Sequence, residues 1–518
     1  MAEQLFKLIL FFIFGLIYFY SVAGYGSILS KKNSNIFEQQ FDGNIILLIF
    51  GYILYLTIGF SSLLNLSIII LGLILFLKKR KKNIPKLRYI VFLFASLFSI
   101  LIISKTHEDF NNYHYFSIFE VFNNGLRIGV SKINTYWIHS SLLKFNQALI
   151  VLPFLNFNII HLPIFIIYLS TVGYFILVFF KKTPKKNELH YSLLCVLILL
   201  IKFNRLSEFG YDYISQFLLL VVFHKIYFFK KDKIETSKAI LYFIFSVLIK
   251  PISLLFFPIL FFIFFNNGYN FYKKINRSYF FSSILLLLIF FSSSFLKTGC
   301  VFYPINSTCF DKEKIFWSEK QYLNSYSRTV ELWSKSYDAQ LKNTIYEKIE
   351  NKEIYLENFN WVKFWIESHF FYKVYEFILI VSSLIMILYF LFSKLELNKN
   401  KKTKNEMIIL LFSSLGIFFW FITVPQFRFG FSFIVIFIFF IFNFLINLNL
   451  RFDKKKFFYL IFLSLLILNT KNFIRIKNEF LRNDFYKFTN FPFYNQKLIE
   501  YDYSNLKRDK FFYIELLK

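Results

Sequence analysis

The chain has 518 residues, 57% of them hydrophobic and 23% aromatic, and only 18% charged, against about 25% in a soluble protein. With 15 Gly and 9 Pro it also lacks the punctuation of a multidomain α/β enzyme. An ordinary soluble protein, a disordered chain and a disulfide-dense secreted scaffold are therefore excluded, and an all-α polytopic membrane protein remains. The formal charge of +29 lies in short runs between apolar segments, so topology accounts for it and nucleic acid is not an expected partner.

A spanning helix needs about 20 apolar residues. Taken in chain order, segments of that character cover 5–24, 44–78 (long enough for a pair), 89–104, 161–180, 189–204, 213–229, 238–257, 256–266, 278–296, 371–393, 407–424, 430–448 and 456–470. The expectation is about 12–15 transmembrane helices. Lys250-Pro251 marks the turn inside 238–266, since Pro interrupts a helical hydrogen-bond ladder. Residues 142–155 are apolar but short, which fits a re-entrant or interfacial element. The first apolar run, preceded by Lys7 and followed by no evident small-residue cleavage site, reads as a retained helix.

Lys78–Arg88, Lys181–Lys186, Lys225–Lys238, Lys273–Arg277, Lys394–Lys404 and Arg451–Lys456 hold 28 basic residues, whereas 297–370 balances 10 basic against 10 acidic. That alternation is the positive-inside pattern. It makes the basic runs solvated cytoplasmic loops and sends 105–160, 205–212, 297–370, 425–429 and the tail after Thr470 to the other side. The orientation before Lys78 stays open, because 44–78 is either two crossings or one kinked crossing. The expected organisation is an N-terminal transmembrane region 1–296 and a small extracytoplasmic helical segment 297–370. A second transmembrane region 371–470 and an extracytoplasmic tail 471–518 follow. Trp137, Trp317, Trp333, Trp361 and Trp365 fall in outer segments and Trp420 near an outer helix end. Such aromatics form an interfacial belt or a ring-stacking surface, the belt being the simpler reading.

Several outer positions could carry chemistry. "SKTHEDFNNYHYF" gathers His107, Glu108, Asp109, Tyr113 and His114 at a helix exit, where carboxylates beside apolar helix are costly unless solvated or used. "NRLSEFGYDYIS" brings Glu208 and Asp212 to the same side. Arg428 in "TVPQFRFGF" and Lys250 beside Pro251 add two cations. Singly these are snorkelling side chains; together they could hold a phosphate leaving group opposite a general base. Cys300 and Cys309 in "TGCVFYPINSTCF" are placed to form a disulfide in an oxidising compartment, and Cys195 reads as packing. With no CxxC or HExxH pattern, a zinc site is not expected.

The ordered series "HEDFNNYHY", "GVSKIN", "HSS" (Ser140, Ser141), "SEFGYDY", "IKPISLL", "TGCVFYP" and "VPQFRFG" resembles the GT-C superfamily of membrane glycosyltransferases. It more closely resembles a group of bacterial polytopic proteins with that architecture. The resemblance spans roughly residues 100–430. It implies a bacterial inner-membrane hexosyltransferase acting at the periplasmic or exterior face. The donor would be a polyprenyl-phosphate-linked sugar and the acceptor a glycan or lipid. A divalent metal (magnesium or manganese) is used in some branches and not in others. Carried onto this chain, Asp109 would be the catalytic base with Glu108 as the other candidate. His114 would support their loop, Arg428 and Lys250 would hold the donor phosphate, and Asp212 and Glu208 would orient the acceptor or a metal. The stretch "KINTYWIHSS" departs from a close relative's pattern, so the substrate does not carry over. Competing classes are a polysaccharide polymerase or ligase using outer Arg and His residues, a transporter or flippase with mid-membrane charges, and a degenerate structural member.

Overall fold

The computed structural model describes residues 2–30, 34–79, 87–102, 113–181, 185–202, 210–229, 232–261, 275–318, 320–342, 348–397, 404–445, 448–450 and 453–482. The longer helices are α1 (Ala2–Leu29), α2 (Ile36–Leu56), α3 (Ser62–Lys79), α4 (Leu87–Leu97) and α5 (Tyr115–Asn124). Next come α6 (Leu162–Val178), α7 (Lys186–Lys202), α8 (Tyr211–Phe228), α9 (Lys233–Ile249) and α10 (Arg277–Thr298). The chain closes with α11 (Lys320–Ser334), α12 (Glu376–Phe392), α13 (Lys404–Thr423), α14 (Phe427–Leu445) and α15 (Lys454–Arg482). The chain is thus predominantly helical. One departure from an all-α fold is an antiparallel pair, β1 (Ser393–Leu397) with β2 (Leu448–Leu450).

Seven helices among the described residues are long and apolar enough to cross a bilayer: Leu5–Leu29, Ser62–Lys79, Phe157–Val178, Arg277–Thr298, Val362–Phe392, Glu406–Thr423 and Lys455–Asn478. That is fewer than the 12–15 expected. Leu87–Ile100, Pro251–Phe261 and Phe427–Asn443 are apolar but shorter. The helices α2, α7, α8 and α9 lie largely inside the bundle and carry buried polar or charged side chains. Phe6, Ile13, Ile74, Phe281, Phe390 and Phe462 point outward, where a soluble bundle would show polar groups. Such outward apolar faces are those of a membrane protein.

Segment 44–78 resolves as two helices, α2 and α3. The start of α2 and the end of α1 share an end of the bundle, where Ser30 Oγ donates to Asp42 Oδ2 at 3.2 Å. At 1.5 Å per residue, the 28 residues of α1 carry Ala2 to the opposite end. α1 lies so close to its neighbours that a side chain at Gly24 would collide with the Gly72 carbonyl, and one at Gly26 with the Gln39 carbonyl. Tyr25 and Ser21 then reach across to the carbonyls of Ile68 (2.7 Å) and Ile69 (2.9 Å).

Three further expectations are corrected. The helix expected over 371–393 begins at Val362 and passes through a π-helix, Ile366–Tyr375, before α12. The helix expected over 456–470 is α15, which runs on to Arg482. Lys225 and Lys238, assigned to a solvated loop, are buried in ion pairs. Lys225 contacts Glu38 and Glu235, while Lys238 reaches Glu38 at 2.7 Å and Glu235 at 3.4 Å. Tyr242 OH donates to Asp42 Oδ1 at 2.9 Å beside them. The reason is that α8, α9 and α2 end side by side, and each ammonium lowers the cost of burying a neighbouring carboxylate.

Cys300 and Cys309 are joined in a disulfide, and Cys195 is buried. The bonded pair sits in a small cluster with Ile138, Tyr303 and Leu323. Trp317 Nε1 donates to the Phe295 carbonyl at 3.0 Å, holding the start of the segment after α10 against that helix.

Candidate functional site

Three separate segments bring charge to one place at the end of the bundle opposite the Glu38 cluster. Asp212 lies in the first turn of α8. Lys250 follows α9 in extended backbone (φ −150°, ψ 115°), as a residue before proline prefers, and Pro251 opens a 3-10 turn, Pro251–Phe256. Arg428 is the second residue of α14. Lys250 Nζ pairs with Asp212 Oδ1 at 2.9 Å and Arg428 Nε with Asp212 Oδ2 at 3.1 Å. One carboxylate therefore holds two cations, leaving the triad a formal net charge of +1.

Arg428 is positioned by a loop that is tied at nearly every residue. Trp365 Nε1 donates to the Pro425 carbonyl and Trp420 Nε1 to the Gln426 carbonyl, both at 2.8 Å. Gln426 Nε2 donates to the Ser334 carbonyl at 3.1 Å, and the Phe427 N–H donates to His369 Nε2 at 2.9 Å. His369 and Trp365 belong to the helix interrupted by the π-turns, a distortion that re-aims side chains by adding a residue to the turn. The guanidinium then lies 5.3 Å from the Trp333 ring centroid and 5.3 Å from that of Phe429. Trp333 remains 42% exposed, while Trp137, Trp361, Trp365 and Trp420 are buried. A ring-stacking surface, the alternative to the belt reading of the outer Trp residues, would thus reduce mainly to Trp333, with Trp317 half-buried.

His114 packs its ring 5.0 Å from that of Tyr211, close enough for its charge to act on Asp212. Of the residues expected to form the site, the structure brings His114, Asp212, Lys250 and Arg428 together. Cys300 and Cys309 pin the outer segment instead. Glu108, Asp109 and Glu208 lie outside the described residues. The quoted serines do local work: Ser140 Oγ donates to the Trp137 carbonyl at 2.7 Å, and Ser141 Oγ accepts from the Leu143 N–H at 3.2 Å.

Sequence reading missed His139, Lys144, Lys297 and His369. His139 faces the charges of Lys250, Lys297 and Asp212, and its Nε2 is buried without a hydrogen-bond partner among the described residues. Burial first, then Lys250 and Lys297, pull its imidazole down from 6.5 to about 3, against Asp212. The only local signal was a His and a Lys in "IHSSLLK", beside the motif that seemed divergent. Nearby, Glu120 pairs with Arg127 at 2.5 Å, both buried. No group of three metal-ligating side chains forms among the described residues, and each oxygen of Asp212 already faces a cation. Among the described residues this donor set does not fit a divalent metal.

The fold and site define a helical membrane protein with a cation-rich polar centre at one end of its bundle. Residues 4–435 match the family described as a domain of unknown function, DUF8201, and the chain belongs to that family. No curated protein and no solved structure matches it.

Proposed function

We propose that the chain is a GT-C-type glycosyltransferase of the bacterial inner membrane. It transfers a sugar from a polyprenyl-phosphate-linked donor to a glycan or lipid acceptor at the outer face, in cell-surface glycan assembly. The observation that supports this reading is the meeting of Asp212, Lys250 and Arg428 from three distant segments. A carboxylate, Asp109 or Glu108, takes the proton of the acceptor hydroxyl as its oxygen attacks the anomeric carbon. The bond from that carbon to the donor phosphate breaks, and its electron pair leaves with the phosphate. Lys250 and Arg428 stabilise the departing charge. Asp212 holds both cations in position, and His114 supports the loop that carries the base.

The test is transfer from a polyprenyl-phosphate hexose in membrane vesicles. Asp109→Asn, inserted normally, is expected to lose about a hundredfold in rate; a wild-type rate would falsify this assignment. One observation favours the polymerase or ligase class as a second reading. Lys144, Lys250, Lys297 and Arg428 outnumber Asp212 and the paired Glu120 among the described residues at this end. In that case Arg428→Gln abolishes transfer while Asp109→Asn leaves it intact.

A further inference from the structure

Lys297 is 9% exposed and Lys144 6%, and among the described residues neither forms an ion pair. Lys297 sits in the last turn of α10, where Ser131 Oγ donates to its carbonyl at 2.7 Å, so the 3-10 turn Val130–Lys132 and the helix are fastened at this point. Its ammonium has no hydrogen-bond partner among the described residues. Its charged neighbour is Lys144, a second cation. Lys144 Nζ donates to Ser140 Oγ at 3.3 Å and lies 5.7 Å from the Phe145 ring centroid, with no carboxylate bonded to it among the described residues. Among the described residues the carboxylate whose charge acts on Lys144 is Glu120, which pairs with Arg127 and accepts from Asn124 Nδ2 at 2.8 Å through its second oxygen. The carbonyl end of α10 offers Lys297 a partial charge but no bond.

Two buried lysines whose charges act on each other, with no ion pair among the described residues, are unfavourable unless a counter-charge is supplied. They are favourable where a doubly charged anion completes the set. His139 Nε2, without a hydrogen-bond partner among the described residues and acted on by the charges of Lys250 and Lys297, adds a third polar group. The three come from different segments: the 3-10 turn Thr135–His139, the short helix Lys144–Ala148 and α10. Lys250 and Arg428 differ in that each has Asp212 as an ion-pair partner.

We propose that Lys144, Lys297 and His139 form an oxyanion site for a phosphate ester or diphosphate, adjoining the Asp212 triad and distinct from it. Its ligand is recognised by doubly ionised phosphate oxygens, carried on a lipid headgroup or free in solution. The site stands on burial and charge and does not require sugar transfer.

The test is thermal unfolding of the full chain in nanodiscs. One arm adds inorganic pyrophosphate to discs of phosphatidylcholine; the other replaces part of that lipid with a polyprenyl diphosphate. At a hundred times Kd the bound anion shifts the folding ratio about a hundredfold. Stabilisation in the first arm indicates a free anion, and in the second alone a headgroup. Either response must vanish in both Lys297→Met and Lys144→Met and persist in Lys297→Arg. Without anion, Lys297→Met is expected to unfold no more easily than the parent, because an uncompensated charge has been removed. No response in either arm, or one unchanged in both Met variants, overturns the proposal. Asp109→Asn is the separating control: it tests transfer, and its anion response is expected to match the parent.

Discussion

Asp212 meets two cations while Lys297 meets no carboxylate among the described residues, and that difference decides what each can do. Arg428 is about one-third open to water, so its pair with Asp212 contributes no more than about 1 kcal/mol to stability. The gain is in position: two long side chains are held toward one point. His139 yields a pH dependence of definite sign. Its folded imidazole stays neutral down to about 3, while the unfolded one takes a proton below 6.5. Stability is therefore fully present above 6.5 and falls as pH drops between these values, by at most about 1.4 kcal/mol per pH unit. Melting temperatures at pH 7.5 and pH 5 check this, and His139→Gln should flatten the slope. An unchanged slope in that variant would remove His139 as its source.

Among the elements, contact distance separates what was legible from what was not. Periodicity and length located α6, α7, α8, α13 and α14 to within a few residues, because each is an apolar run bounded by charge or proline. The pairing of β1 with β2 lay beyond such reading, since "SKLEL" and "LNL" carry no strand pattern longer than the pairing itself. The π-helix was equally hidden, because its added residue per turn responds to the packing of Trp365 and His369. In the site, Lys250 was legible from the proline beside it and Arg428 from its place at a helix start. Lys297 was not, because a lysine ending an apolar helix looks the same whether it reaches water or is enclosed. The close approach of α1 to α2 supplies a sharper check. Gly26→Val pushes branched carbon into the Gln39 backbone, which cannot yield as a side chain can. A loss of at least about 3 kcal/mol is expected. It is measured as the denaturant midpoint of the detergent-purified protein, and a parent-like midpoint would show that the helices stand further apart.

At the scale of the molecule, charge-rich ends cap an apolar middle, and the two ends differ. One carries Asp212 with surplus cations; the other holds Glu38, Glu235, Lys225 and Lys238 in mutual pairs. The second cluster sits at helix ends with its charges matched, so it reads as a joint between α2 and the α8–α9 hairpin. The joint also sets a timetable for biogenesis. Lys225 follows Glu38 by 187 residues, which at ordinary synthesis speed leaves the carboxylate waiting about 10–40 s for its partner. During that interval α2, with Glu38, Gln39, Gln40, Asp42 and Asn44 on its early turns, is a poor guest for lipid. A nascent chain stopped at Lys202 should be cleared quickly in a pulse-chase, and one stopped after Thr298 should persist. Equal lifetimes would mean that α2 settles unaided. Birth order thus becomes a constraint on this protein: the charges of its second helix are matched only when its eighth and ninth have been made.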